Sequence, residues 1–215
     1  MHNLGRALMV GSLALVSYSV ANAATITFND LSGPNEAPFT SYQEAGFTVT
    51  GAVFQGAPEQ GLLFGNPAPS LIIGAPLFAP LRGSVGVAAT DGRRFVFSSM
   101  DLASNNGVSS DFNAEGFIIV QRGPILGPIS LPVFSFTGLV PSGSPGDFVF
   151  VTETNPFTRG PIDALAIIVT PGLGVTSVNL DNIGVTVVPE PSTIVLIGLT
   201  LGAGALARWR RRRQQ

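Results

Sequence analysis

The sequence predicts an all-β fold, an antiparallel β-sandwich of jelly-roll type, with an N-terminal signal peptide and a single C-terminal transmembrane helix outside it. Three observations carry this. Between residues 24 and 188 the apolar residues recur every second position in short runs. Glycine and proline number 26 and 17 in 215 residues, which favours many turns over long helices. No stretch of that region sustains a helical period.

The runs follow in order. TITFNDL places Ile26 and Phe28 on one face, GFTVTG does so with Phe47 and Val49, and SVGVAA with Val85 and Val87. FVFSSMDL, GFIIVQR, VFSFTGL, FVFVTET, ALAIIVT and SVNLDNIGVTV continue the pattern. They are rich in phenylalanine and β-branched residues, and Gly, Pro, Asn or Asp separates them. That makes about nine short strands, the spacing of a sandwich. Asp91-Gly92 is expected to close a hairpin, and Asn106-Gly107 is a second candidate. In LLFGNPAPSLIIGAPLFAPLRG the prolines 67, 69, 76 and 80 forbid a long central strand, so a short buried strand from Ser70 to Ile73 framed by loops is expected; the alternative is a long apolar surface loop that binds a ligand. All fifteen phenylalanines lie in this region, as packing between two sheets requires.

The two ends read as addresses. At the start, Arg6 precedes an apolar stretch, and Ala21-Asn22-Ala23 offers the small residues that signal peptidase needs. Residues 1–23 are therefore expected to be a signal peptide cut after Ala23, removing His2, the only histidine. Residues 24–188 are left as the exported domain. At the other end, Ser192 to Ala207 carries no charge and as a helix would span about 24 Å, a little short of a bilayer core. Behind it come Trp209 and Arg208, Arg210, Arg211, Arg212 and Arg213, five of the eleven basic residues in the chain. Such a cluster is expected to stay in the cytoplasm and fix the topology, with the helix in membrane lipid.

Pro189-Glu190-Pro191, then the apolar stretch, then the basic cluster, resembles the PEP-CTERM sorting signal of exported bacterial proteins. The resemblance covers residues 189–215. It implies recognition and processing by a membrane-embedded exosortase, and an organism that produces biofilm and exopolysaccharide. It implies anchoring in the inner membrane before processing, and the cell envelope or extracellular matrix afterwards. FNDL, GFTVTG and LDNIGV resemble segments of such exported domains, and similar jelly rolls hold a structural calcium ion with oxygens from their first and last strands. On that likeness Asn29, Asp30, Asp181 and Asn182 are the candidate calcium ligands; hard oxygen donors suit the ion. The alternative is that they make Asx turns and strand-end hydrogen bonds. No other cofactor is expected.

Charge and composition exclude several classes of function. The region 24–188 holds five arginines against twelve acids, so nucleic acid is not an expected partner. The chain has no cysteine and no lysine, and the exported region has no histidine. A Ser-His-Asp or Cys-His arrangement, the usual zinc site and a Schiff base cannot be built there. Only carboxylates remain for catalysis. A glycosidase would need two of Asp101, Asp111, Glu115, Asp147, Glu153 and Asp163 to face each other across a groove. The expectation is a non-enzymatic protein with a structural or adhesive role. The alternative is a carbohydrate-binding module for the exopolysaccharide of the cell itself, with Tyr42, the only exported aromatic beyond phenylalanine, as its platform.

Overall fold

A computed structural model describes residues 22–32, 38–52, 62–64, 70–73, 83–104, 108–121, 127–140, 149–157, 160–175 and 178–188. The signal-peptide residues before Asn22, Asn106-Gly107, Asp147, the proline-rich turns and everything from Pro189 on lie outside them. The compact unit that holds the described residues runs from Ala21 to Val188.

The described residues form thirteen strands and no helix. They are β1 (Ala23–Ile26), β2 (Pro38–Phe39), β3 (Ser41–Glu44), β4 (Phe47–Ala52), β5 (Leu62–Phe64), β6 (Leu71–Ile73) and β7 (Gly83–Ala89). Then come β8 (Phe95–Ser104), β9 (Ser110–Gln121), β10 (Pro128–Val140), β11 (Val151–Thr154), β12 (Ala164–Thr170) and β13 (Val178–Val187). One sheet has the order β11-β8-β13-β6-β5-β2, with β1 also on β13; the other runs β10-β9-β12-β7-β4-β3. Every pairing is antiparallel. The fold is the expected antiparallel sandwich.

Period-two patterning decides which side of each strand faces inward. On β7 Val85, Val87 and Ala89 are buried, and on β12 Leu165, Ile167 and Val169 are. They join Phe28, Phe47, Phe95, Phe97 and Phe112 in one core between the sheets. Each fully buried side chain of this size contributes about 1.5–3 kcal/mol relative to exposure.

The β9–β10 pair shows how sequence sets this packing. Phe112 lies opposite Gly138, and Phe134 opposite Gly116. A Cβ on Gly138 would come 2.4 Å from the Phe112 ring, and one on Gly116 would come 2.3 Å from the Phe134 ring. Each ring thus lies over a glycine that leaves it room, and a β-bulge between Pro132 and Phe134 re-aims β10.

Two turns differ from expectation. Asp91-Gly92 is a turn, with Gly92 N donating to the Ala89 carbonyl at 3.0 Å, yet it carries the chain from β7 in one sheet to β8 in the other. It does not close a hairpin. The same residues make any tight reversal, so local sequence cannot tell the two uses apart. The hairpin that does form joins β3 to β4 through Ala45 and Gly46, at φ of 51° and 82°. Positive φ at both central residues is what a type I′ turn needs.

Candidate functional site

Two groups of polar side chains stand apart from the core. The first lies at a seam in the sheet. One edge of β13 is shared end to end: β6 pairs with Val178 to Leu180, and β1 with Ile183 to Thr186. Asp181 and Asn182 fall between. The ladder from β13 to β8 slips there, and Asn182 takes a φ of 46°, a bulge for which asparagine is well suited.

At this seam Asp181 sits directly opposite Asp101 of β8. Like charges opposed in a sheet are destabilising, and neighbouring donors offset this one. Asn182 Nδ2 donates to Asp101 Oδ2 at 2.8 Å, Thr152 Oγ1 donates to Asp101 Oδ1 at 2.6 Å, and Asn182 N donates to Asp181 Oδ1 at 2.7 Å. Burial pushes the Asp181 carboxyl up to about 6; the Asn182 N–H opposes this, and the charges of Asp101 and Glu44 add to it.

Glu44 closes the same region from β3 of the other sheet. Its carboxylate accepts from Thr27 N at 2.8 Å, Phe28 N at 2.9 Å, Thr27 Oγ1 at 2.7 Å and Tyr42 Oη at 3.2 Å. The chain leaves β1 here with Phe28 at a φ of 56°, so the two backbone donors are freed from any ladder and taken up by one side chain. Tyr42 is half-buried, its ring tilted against Phe28 at 5.6 Å, and burial and Glu44 push its hydroxyl up to about 12. It belongs to this clasp and is not an open platform for a sugar.

Of the four candidate calcium ligands, Asp181 and Asn182 lie in the bulge, while Asn29 and Asp30 lie in the exposed turn after β1. The acid from the first part of the chain whose charge acts on Asp181 is Glu44. Among the described residues no three His, Cys, Asp or Glu side chains stand close enough together to hold a metal ion. Sequence reasoning did not single out Glu44, which is seventeen residues from its partner Thr27.

The second group lies on the outer face of the other sheet. The inward alternation of Phe112, Ala114 and Gly116 on β9 sends Asp111, Asn113 and Glu115 outward. They line an open cleft of about 570 Å³ with Thr137 and Leu139 of β10 and Ile168 of β12. Thr137 and Ile168 flank Asn113 on either side, and Leu139 is opposite Asp111. Asn113 Nδ2 donates to Glu115 Oε1 at 2.6 Å and Asn113 Oδ1 accepts from Ser135 Oγ at 2.9 Å.

The other acids considered for glycoside hydrolysis are dispersed. Asp163 pairs with Arg94 at 3.0 Å and accepts from Ile119 N at 2.7 Å, while Glu153 lies on β11, opposite Met100 of β8. Asp111 and Glu115 share one strand face four residues apart, so their backbones are about 13 Å apart along it. They stand side by side on that face and not across a groove from each other.

Comparison with known proteins gives a family model for one end of the chain and distant likenesses for the rest. No curated protein matches it. Among solved structures it is similar to a family 29 carbohydrate binding module from Piromyces equi, at 12% identity over 79% of this chain and 92% of that one, with a TM-score of 0.38. It is also similar to a second family 29 carbohydrate binding module, at 14% over 77% and 88% with a TM-score of 0.36. A third likeness is to a structure described as CBM4, at 12% over 80% and 81% with a TM-score of 0.29. Values this low say nothing about ligand. The family model named PEP-CTERM protein-sorting motif matches residues 187–213. This chain therefore carries a PEP-CTERM protein-sorting motif at its C-terminal end, as an exported protein sorted through an exosortase does.

Proposed function

We propose that the protein is a non-catalytic sandwich domain exported across the inner membrane and delivered to the cell envelope or extracellular matrix, where it has a structural or adhesive role. The observation that carries this reading is one of position. The sorting motif begins at Val187, the last residue of β13, so nothing intervenes between the end of the sandwich and the signal. Signal peptidase acts at Ala21-Asn22-Ala23, residues 192–207 hold the chain in the membrane, the five arginines fix its topology, and exosortase acts at Pro189-Glu190-Pro191. Residues 24–188 are the exported domain. A structural calcium held by Asn29, Asp30, Asp181 and Asn182 is a separate proposal, decided by melting curves in EDTA and in millimolar calcium.

The cleft favours a second reading, that the domain binds the cell's exopolysaccharide. It presents carboxylates, an amide and a hydroxyl to solvent on one face, as recognition of sugar hydroxyls requires.

The test of delivery is fractionation of the wild-type chain in a host with and without its exosortase, followed with an antibody to the sandwich. The expected result is a shortened form in the envelope or medium only where exosortase is present, and full-length protein in the membrane without it. The same size and fraction in both hosts would overturn the reading.

A further inference from the structure

We propose that the cleft of β9, β10 and β12 binds a hydroxyl-rich glycan that carries no acidic groups; this rests on the carbohydrate-binding reading above and names its site and ligand class. Three features of the cleft support it.

The first is the spacing of its polar groups. Asp111, Asn113 and Glu115 are successive outward residues on one strand, so they form a row about 13 Å long. A row of acceptors on a rigid strand matches successive hydroxyl groups along a linear glycan better than it matches one compact metabolite. The β9 ladder to strands on both sides holds the row in place.

The second is preorganisation. Asn113 is held by hydrogen bonds to Glu115 and Ser135, which fixes the orientation of its amide before any ligand arrives. Carboxylate oxygens have lone pairs for more than one donor, so Glu115 keeps capacity for a sugar O–H. Leu139, 62% exposed, and Ile168 add apolar surface beside the row, against which the C–H face of a sugar ring can pack.

The third is charge. Among the described residues the lining carries two carboxylates and no arginine, in a region that holds twelve acids against five arginines. Uronic acid and sulfate groups would meet like charge at the point of contact and would be turned away. Neutral hydroxyls donating to carboxylates meet no such penalty, and these are the stronger kind of hydrogen bond.

The experiment uses the full-length protein in a zwitterionic, sugar-free detergent. It is screened against neutral glucans, mannans and galactans, set beside alginate and heparin as acidic polymers. The best neutral binder is then titrated against wild type, the Asp111→Asn/Glu115→Gln double variant and, as a control away from the cleft, Glu153→Gln. The expected result is binding of a neutral glycan, at least a tenfold loss in the double variant, no loss in Glu153→Gln, and melting temperatures of both variants close to wild type. If none of the polymers binds, both this inference and the carbohydrate-binding reading fall. If a glycan binds equally well to the double variant, or if alginate or heparin is preferred, the domain still binds carbohydrate but the assignment of site and class is wrong.

Discussion

The carboxylates at the seam and those on the outer face of the second sheet differ in what they already do. Glu44 accepts four hydrogen bonds, three of them from Thr27 and Phe28 on a distant strand end, and Asp101 accepts two, both from groups distant in sequence; without them backbone donors and hydroxyls would be stranded. Glu115 on the outer face accepts one, from a neighbour two residues away on the same strand. The seam acids close the fold; the face acids leave it unfinished on the solvent side. Acidity alone therefore does not identify a site here, and the number of partners a carboxylate already holds separates the structural acids from those available to a ligand.

The largest expected effect comes from removing the clasp. Glu44→Ala leaves Thr27 N and Phe28 N without their acceptor where the chain leaves β1. Lost charge-assisted hydrogen bonds and stranded backbone donors together cost about 3 kcal/mol. For a domain of this size that lowers Tm by roughly 6–12 °C. Glu44→Gln, which keeps an acceptor oxygen, should fall between the two. A Glu44→Ala protein that melts with wild type would erase the distinction between seam and face.

A smaller effect with a definite sign is expected at Asp181. The folded protein holds this proton up to about 6, while the unfolded chain releases it near the ordinary aspartate value of 3.8. The folded state therefore binds more protons between those values, and stability is lost as pH rises from about 4 through 6, then stays level with respect to this group. The carboxyl is only partly buried, so after discounting for solvent screening the loss is about 1 kcal/mol. Asp181→Asn keeps the Oδ1 acceptor for Asn182 N and removes the charge facing Asp101. In EDTA it should be more stable than wild type at pH 7 and equal to it at pH 4. Parallel melting curves of the two proteins across that range would contradict the cause assigned to the shift.

Much of this architecture was legible because burial on one side of a strand writes itself as alternation. The nine runs became β1, β4 and β7 to β13, and Ser70 to Ile73 holds β6. What stayed hidden has physical reasons. β3 (SYQE) is an edge strand without alternating apolar residues, and β2 and β5 are two and three residues long. The first half of β9, SDFNAE, reads as polar because Asp, Asn and Glu are depleted in strands, yet Phe112 and Ala114 alternate inward between them. That half carries the cleft. The clasp and the opposed pair are hidden for another reason: Glu44 meets Thr27, and Asp101 meets Asp181, only through sheet topology. The sorting motif is the reverse case. Its recognition rests on contiguous residues, so the linear sequence displays it whole.

The central claim, that this sandwich is exported as an exosortase substrate, is tested most directly by the intact mass of the protein recovered from an exosortase-bearing host, for wild type and Glu190→Ala. Wild type should lack the segment with Arg208 and Arg210 to Arg213, while Glu190→Ala should keep Gln215 and collect in the membrane fraction. Wild-type protein that reaches the envelope with Gln215 still at its end, or a Glu190→Ala protein processed as wild type is, would contradict the account.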